Sequence, residues 1–335
     1  MFVRNAWYMG AWSTELPRGG MLGRVLLEEP VVFYRTAHGQ VVALEDRCCH
    51  RGLPLTHGAV EGGHVRCGYH GLAFDASGAC VDVPGQARIP AAAKVRSYPV
   101  VEREQMVWIW MGDPALQDAS LIVSPPWLDD PNWVTVTGCY QVEANYQLIT
   151  DNLMDLTHVG YVHGQTIGGT PRAHSEAEAR TSNTARGVRV ERWMRNSVPP
   201  PACTSSHRFN TELVDRWMEI EFHAPSVVRI HTGAVDAGRT TRDEGVLFWG
   251  LDLQTPETER STHYFWSGAR NIGTQQELAA QKERLLRSIT TTFGEDKVVV
   301  EAQQRSLDRK PEPLVMIGTD AGMMRARRSR PRTLA

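Results

Sequence analysis

Two segments decide the fold of the N-terminal part of this chain: Cys48-Cys49-His50-Arg51-Gly52 and Cys67-Gly68-Tyr69-His70-Gly71. Each segment carries a thiol and an imidazole beside a glycine, and glycine permits a tight loop. Two such loops together offer two sulfur and two nitrogen atoms to a common centre. The spacing therefore predicts a metal centre with Cys48, His50, Cys67 and His70 as its ligands.

This ligand set is the one that a Rieske [2Fe-2S] cluster needs, because two histidines replace two of the four cysteines and hold one of its two irons. A Cys2His2 zinc site uses the same ligand types. Zinc fingers, however, place the cysteine pair on one segment and the histidine pair on another, whereas each segment here has one of each. The arrangement therefore favours the [2Fe-2S] cluster.

The sequence around these segments predicts a small all-β unit over residues 1–115. Short strand-like runs at 41–45, 64–67 and 107–110 are separated by glycine and proline. A turn-rich passage between residues 111 and 131 follows, and we place the domain boundary there.

A second chemical signal lies in a tract from residue 144 to about 161 that has a helical pattern. Asp155 and His158 are three residues apart and would share a helix face. We expect Gly160 to release the helix, so that His163 turns back toward His158. Two imidazoles and one carboxylate form the facial triad of non-haem Fe(II) oxygenases, which leaves positions open for dioxygen.

The carboxylate ligand is expected from the last helical tract, residues 274–309, which Gly294 is expected to interrupt. Asp296 is our choice, although Glu295 and Glu301 are equal rivals by spacing alone. Lone histidines on strands are weaker candidate ligands, and these are His207, His223, His231 and His263.

Strand-like runs between residues 187 and 266 predict one antiparallel sheet in this second domain. Apolar side chains on these runs are the candidate lining of a substrate pocket: Val228, Ile230, Trp249 and Trp266. Arg229 and His231 alternate with Val228 and Ile230, so only one of the two pairs faces inward. If the polar pair does so, it would anchor the carboxylate of a benzoate-type ligand.

Composition excludes several classes of partner. The 335 residues include 36 basic and 38 acidic side chains, so the net charge of −2 gives no field that attracts nucleic acid. No stretch approaches the length of about 20 apolar residues that spans a bilayer, and the N-terminus has no signal-peptide pattern. We therefore expect no membrane association, a cytoplasmic location and six cysteines kept as thiols.

With both motifs in view, the chain resembles the oxygenase component of Rieske non-haem iron oxygenases. Within that family it is most similar to the aromatic O-demethylases that act on vanillate and dicamba. The resemblance covers nearly the whole chain, and its motifs are Asn5-Ala6-Trp7-Tyr8, residues 48–54 and 67–72, residues 151–163, Thr255-Pro256-Glu257 and Glu295-Asp296. Cys49 and Gly68 depart from it, since proline is common at both positions.

The resemblance implies an α+β protein, with an N-terminal all-β Rieske domain at 1–115 and a C-terminal helix-grip catalytic domain at 116–324 around an antiparallel sheet. It also implies a head-to-tail homotrimer, in which Asp155 connects His70 of one subunit to His158 of its neighbour. Asn152 matches a residue near the iron. The tail at 325–335, which has five arginines in residues 325–332, has no counterpart and is expected to be solvated and disordered.

The activity implied by the resemblance is that of one part of a multicomponent monooxygenase. A reductase of the flavin and [2Fe-2S] type, or a ferredoxin, would deliver electrons to the cluster, and Fe(II) would use dioxygen to O-demethylate a methoxylated aromatic acid with release of formaldehyde. Two alternatives stay open. One is hydroxylation of a ring, an N-methyl group or a side chain by the same iron, and the other is a Rieske electron carrier without oxygenase activity.

Overall fold

The computed structural model describes residues 2–204, 209–239, 241–242, 244–271 and 278–329. The chain divides into two compact units, Met1–Ser124 with Thr255–Thr258 and Pro125–Gln254 with Glu259–Ala335. The division at residue 124 falls inside the turn-rich passage. The sequence did not anticipate that residues 255–258 belong to the first unit.

Three antiparallel sheets make up the described part of the first unit, with the strand orders β1-β11-β10, β2-β3-β4-β9 and β5-β6-β7-β8. The strands are β1 (Ala6–Trp12), β2 (Met21–Leu26), β3 (Glu29–Arg35), β4 (Val41–Glu45), β5 (Ala59–Glu61), β6 (His64–Arg66), β7 (Ala73–Phe74), β8 (Cys80–Asp82), β9 (Ser97–Tyr98), β10 (Val100–Arg103) and β11 (Met106–Met111). The predicted all-β character is confirmed.

The two metal-binding segments are loops that leave these sheets. The Cys48 segment follows β4, and the Cys67 segment connects β6 to β7. Both cysteines are buried in one hydrophobic cluster with Leu55, Val65 and Phe74. Packing in this cluster therefore fixes the position of both sulfur atoms.

The second unit is built on a seven-stranded antiparallel sheet of order β12-β18-β17-β16-β15-β14-β13. Its strands are β12 (Trp133–Val142), β13 (Glu178–Asn183), β14 (Gly187–Ser197), β15 (Val214–His223), β16 (Val227–Asp236), β17 (Val246–Thr258, of which the last four residues belong to the first unit) and β18 (Ser261–Asn271). Its helices are α1 (Tyr146–Met154), α2 (Val159–Val162), α3 (Pro171–Ser175), α4 (Pro201–Thr204), α5 (Leu278–Arg309) and α6 (Ala321–Arg328). The predicted α+β class is confirmed. No helix in the described ranges has both the length and the apolar character needed to cross a membrane.

Side-chain alternation along β16 separates an apolar face from a charged one. Val228 is fully buried in the core cluster that also contains residues of α1 and β15. Arg229 donates to Glu221 at 2.7 Å, and His231 contacts Glu219 at 3.3 Å, both on the other face. The apolar pair therefore faces the helices, and the polar pair does not.

The helix that carries the second motif is broken earlier than the sequence predicts. Asp155 leaves helical geometry, with φ −124° and ψ 90°, so α1 ends at Met154 and a 3₁₀ turn (Leu156–His158) follows. Gly160 lies inside α2 and does not interrupt the helix, so the predicted release of the helix at this residue is wrong. A Cβ on it would lie 2.5 Å from the Cα atom of Pro171, so the absence of a side chain permits close packing against α3.

The predicted interruption at Gly294 is also wrong, because α5 is continuous from Leu278 to Arg309. Apart from the adjoining backbone of α5 itself, no atom of the described residues lies within 4 Å of the position that a Cβ on Gly294 would take. The start expected at residue 274 lies outside the described residues.

The expected disorder of the arginine-rich tail is wrong for residues 325–329. Helix α6 continues to Arg328, because Met323 and Ala326 are buried among the core residues. Arg327 forms an ion pair with Asp151 of α1, and Arg325 donates to the carbonyl of Thr181 at 3.2 Å. Residues 330–335 lie outside the described part.

We predict that Gly294→Ala raises the free energy of unfolding by about 0.5–1 kcal/mol, since alanine costs less conformational entropy in a helix and the site has room for it. Chemical denaturation of the mutant and wild-type proteins measures this difference. The same substitution at Gly160 is the control, and it should destabilise the protein because its Cβ meets Pro171. A destabilised Gly294→Ala protein would contradict the account of α5.

Candidate metal centres

The two loops of the first centre have the same backbone hydrogen bonds. The amide of Cys48 donates to the carbonyl of Leu53 at 2.9 Å, and the amide of Cys67 donates to that of Leu72 at 2.8 Å. In each loop a glycine with positive φ then donates back to the cysteine carbonyl, Gly52 at 2.9 Å and Gly71 at 3.1 Å. The sequence thus builds two equivalent turns, each presenting one sulfur atom.

The four predicted ligands of this centre are brought together. The rings of His50 and His70 lie 4.6 Å apart between centroids, and both residues are exposed, whereas Cys48 and Cys67 are buried. Burial and, to a smaller extent, the neighbouring Cys67 raise the pKa of the Cys48 thiol to about 11, although a backbone hydrogen bond at His50 opposes the shift. A buried thiol of this kind becomes a thiolate readily only beside positive charge, so the donor set fits a bound iron cluster.

Both departures from the common loop pattern are accommodated. A Cβ on Gly68 would lie 2.3 Å from the carbonyl oxygen of His57, so the close approach of the two loops requires glycine at this position. Cys49 is exposed and lies outside the four-ligand set. Its thiol pKa is raised by partial burial and by Cys80.

The second centre is formed by His158, His163 and Asp296, whose candidate ligand atoms all lie within 4.8 Å of one another. Oδ1 of Asp296 is 3.3 Å from Nε2 of His158 and 3.1 Å from Nε2 of His163. Burial alone would raise the pKa of Asp296, but its hydrogen bonds to the two histidines outweigh burial and lower it to about 2. The site therefore presents two imidazoles and one ionised carboxylate, which is the donor set that fits ferrous iron.

The orientation of both imidazoles is set at their outer nitrogen atoms. Nδ1 of His158 donates to the main-chain carbonyl of Asp155 at 2.8 Å, and Nδ1 of His163 donates to Oε2 of Glu295 at 2.7 Å. Such partners hold the proton on Nδ1, so Nε2 is the atom that binds the metal when a metal replaces its proton. Both Nε2 atoms consequently face Asp296.

Of the three acidic residues that were rivals by spacing, only Asp296 reaches both Nε2 atoms. Glu295 orients His163, whereas Glu301 pairs with Lys297 and accepts from the amide of Glu143. Asn152, on α1, donates from Nδ2 to Oδ1 of Asp296 at 3.1 Å. Asn152 thus lies beside the triad, where the resemblance implied it would be.

Within this chain Asp155 contacts His158 through its main chain and not through its carboxylate. Its main-chain carbonyl accepts from the imidazole, while Oδ1 of its carboxylate accepts from Thr157 and, at 3.1 Å, from Arg192. No described residue donates a hydrogen bond to Oδ2. The carboxylate is therefore held by Arg192 and keeps one oxygen available.

An apolar cavity of about 160 Å³ opens beside the triad and is lined in part by His158, His163 and Asp296. Apolar lining residues include Leu156, Ile167, Met218, Ile230, Phe248 and Phe293. An engineered apolar cavity of about 150 Å³ is large enough to bind benzene. The space therefore suits a substrate with a single ring.

Two of the four predicted pocket residues, Ile230 and Trp249, line this cavity. The prediction is wrong for Val228 and Trp266, which do not. Val228 lies in the core between the sheet and α1, and Trp266 packs with Val134 and Leu285. Side-chain alternation identified the correct strands. Whether a side chain reaches the cavity or stays in the core depends on contacts with residues distant in sequence, which alternation does not reveal.

Asp252 is a buried carboxyl group in the cavity wall that the sequence analysis missed. Its Oδ1 accepts from the hydroxyl of Tyr264 at 2.7 Å, whereas Oδ2 has no hydrogen-bond partner among the described residues. Burial and, to a smaller extent, the charge of Asp296 raise the pKa of Asp252 to about 7, although the hydrogen bond from Tyr264 opposes the shift.

The weaker histidine candidates do not join the triad. His231 stacks on Trp249 with 4.1 Å between centroids, and His223 is buried 3.6 Å from Glu221. His263 packs near Phe265, and His207 lies outside the described residues. Arg192 and Arg216 are buried basic residues near the site that sequence reasoning also missed, because charged residues on strands usually face solvent.

Comparison with known proteins agrees with both centres. Residues 6–99 match the model of the Rieske [2Fe-2S] domain, and residues 142–335 match that of the vanillate O-demethylase oxygenase C-terminal domain. The chain is 41% identical to the iron-sulfur subunit of the toluene-4-sulfonate monooxygenase system of Comamonas testosteroni, over 98% of this chain and 95% of that protein. It is 38% identical to a vanillate O-demethylase oxygenase subunit from a Pseudomonas species, over 100% and 96% of the two chains.

A solved structure matches nearly the whole chain as well. The crystal structure of dicamba monooxygenase bound to 3,6-dichlorosalicylic acid superimposes with a TM-score of 0.90 at 36% identity, covering 98% of this chain and 96% of that one. The chain therefore belongs to the vanillate O-demethylase family of Rieske non-haem iron oxygenases, and it is the oxygenase component of a monooxygenase that uses a [2Fe-2S] cluster and a mononuclear iron.

Proposed function

We propose that this chain O-demethylates a methoxylated aromatic acid and releases formaldehyde. The observation that carries the proposal is the position of His158, His163 and Asp296 in the wall of an apolar cavity sized for one ring. Relatives of 38% and 39% identity are named vanillate and dicamba O-demethylase oxygenases, which supports a methoxyl group as the site of attack.

In this proposal Cys48, His50, Cys67 and His70 hold the [2Fe-2S] cluster, and His158, His163 and Asp296 hold Fe(II). When bound, these groups supply one-electron transfer and the activation of dioxygen, respectively. The protein binds the ring against the apolar wall and excludes water from it. Hydroxylation of the methoxy carbon gives a hemiacetal, which collapses to a phenol and formaldehyde.

We propose a head-to-tail homotrimer as the working assembly. The exposed imidazoles of His50 and His70, together with the exposed ring of Tyr69, present the edge of the first centre to a neighbour. Asp155 retains an oxygen without a described partner, so it is suited to accept a hydrogen bond from His70 of the adjacent subunit. Arg192 would hold that carboxylate in place.

The electron donor of this multicomponent system is proposed to be a reductase of the flavin and [2Fe-2S] type, or a ferredoxin. We also propose a cytoplasmic location, where thiols remain reduced. None of the six cysteines, all within the described ranges, forms a disulfide.

A second candidate function is hydroxylation of a ring methyl group. The 41% identical relative is named for a toluene-4-sulfonate monooxygenase system, and its named substrate has a methyl group but no methoxyl. A pure electron carrier is disfavoured, because the second unit brings a complete set of triad side chains to one point.

The assay that separates these functions follows oxygen uptake and products with purified protein and a surrogate reductase. With 4-hydroxy-3-methoxybenzoate or 3-methoxybenzoate, demethylation yields one formaldehyde for each dioxygen consumed. With 4-methylbenzenesulfonate, methyl hydroxylation yields an alcohol and no formaldehyde. Turnover of the methyl compound alone would contradict O-demethylation as the function.

We predict that His158→Ala abolishes turnover and leaves the visible absorption of the cluster intact, because the two centres use separate ligands. His38→Ala is the control, since this histidine is exposed and belongs to neither ligand set, and it should retain turnover. Loss of the cluster absorption in His158→Ala would contradict two independent sites.

We predict that Asp155→Asn keeps both metals but slows oxidation of the reduced cluster by about 10- to 100-fold, the usual effect of removing a group that orients a metal ligand. Rapid mixing of reduced protein with dioxygen and substrate, followed by visible absorption, measures this rate. Asp151→Asn on α1 is the control, since the carboxylate of Asp151 pairs with Arg327 alone among the described residues. An unchanged rate in Asp155→Asn would rule out the connecting role.

A further inference from the structure

Arg216 is a buried cation in the wall of the cavity beside the triad. Only 4% of the residue is exposed, and no carboxylate among the described residues forms an ion pair with it. Its hydrogen bonds go to two main-chain carbonyls, from Nη1 to Gly168 at 3.1 Å and from Nη2 to Ile167 at 3.2 Å. Burial lowers the pKa of its guanidinium.

Arg192 is a second buried arginine near the site and provides a comparison within the same chain. It is also only 4% exposed and donates to a main-chain carbonyl, that of His174. Unlike Arg216, it has a carboxylate partner, Asp155 at 3.1 Å. A buried charge without an opposite charge is costly, and carbonyl dipoles compensate it only in part. Arg216 therefore lacks an anion that Arg192 has.

The other charged groups of the cavity determine where an anion can bind. Asp252 and Asp296 both line it. When ionised, Asp252 would repel a carboxylate on the substrate there, whereas the charge of Asp296 would be offset by the iron that it holds. Arg216 lies in a different part of the wall, beside Ile167 and Cys203, because it pairs with Ala234 of β16 whereas Asp252 pairs with Val228.

We propose that Arg216 binds the anionic group of the substrate, a carboxylate or sulfonate on the ring. The guanidinium retains donors beyond the two carbonyl bonds, and its planar fork suits an oxyanion. With the anion bound at Arg216, the ring extends through the apolar cavity and the part away from the anion reaches the triad. This inference rests on one part of the proposed function, namely that the cavity binds an aromatic substrate.

A purely structural role is the competing explanation. Arg216 holds the carbonyls of residues 167 and 168, and the amide of Gly168 donates to the carbonyl of His163 at 2.9 Å. If Arg216 only supports that segment, its loss disturbs the triad and weakens every ligand equally. If it binds the anion, its loss weakens anionic ligands selectively.

The experiment compares matched acids and amides on the iron-loaded protein, because the two members of a pair differ mainly in charge. The probes are 3-methoxybenzoate with 3-methoxybenzamide, 4-methoxybenzoate with 4-methoxybenzamide, and 4-methylbenzenesulfonate with 4-methylbenzenesulfonamide. Calorimetry gives the Kd of each for wild type, Arg216→Gln and Arg216→Lys. Glutamine can still donate to the carbonyls without charge, and lysine keeps the charge without the fork.

We expect wild type to bind at least one acid about tenfold or more tightly than its amide, since hydrogen bonds to charged groups are the stronger ones. Arg216→Gln should lose that preference while its Kd for the amide stays within about twofold, and Arg216→Lys should restore part of it. Equal weakening of acid and amide in Arg216→Gln, or no acid preference in any wild-type pair, would overturn the proposal.

The same proteins separate this inference from the proposed function. If wild type prefers an acid and loses that preference in Arg216→Gln, but no probe yields formaldehyde, then the anion site stands and O-demethylation fails. If formaldehyde is released but acids and amides bind alike, then O-demethylation stands and the role of Arg216 is overturned.

Discussion

The hydrogen bonds at Nδ1 of His158 and His163 are the constraint on which the catalytic unit depends. A histidine binds metal well only when its ring is held in one tautomer and one orientation. Here a main-chain carbonyl at a helix break holds one ring, and Glu295 of α5 holds the other. Asp296, the next residue along α5, then meets both Nε2 atoms. The site is thus assembled from one broken helix and one continuous helix.

The two centres differ in how far the sequence determines them. The ligands of the first centre lie on two short loops with matching hydrogen bonds, so local spacing alone predicts which four residues converge. The second centre depends on a break at Asp155 and on close packing at Gly160, and neither follows from helical periodicity. The spacing nevertheless indicated His158 and His163, because a pair of histidines near an acidic residue is a chemical signal independent of backbone geometry.

The cavity is the part that sequence reasoning described least well. Alternation along β16 leaves two faces to choose from, and only the tertiary contacts of Arg229 and His231 with Glu221 and Glu219 determine which face is inside. Asp252 and Arg216 were overlooked for the same reason, because a charged residue on a strand is predicted to be exposed. Their burial gives the cavity, whose wall is largely apolar away from the triad, a carboxyl group in one part and a guanidinium in another, and this distribution restricts how a substrate can bind.

The central claim is that one chain holds two iron centres of different chemistry, and quantitation of iron and acid-labile sulfide in fully loaded protein tests it most directly. A [2Fe-2S] cluster and a mononuclear site predict about three iron atoms and about two sulfides per chain. A ratio of about two irons to two sulfides, with no further iron bound on addition of ferrous salt, would contradict the account.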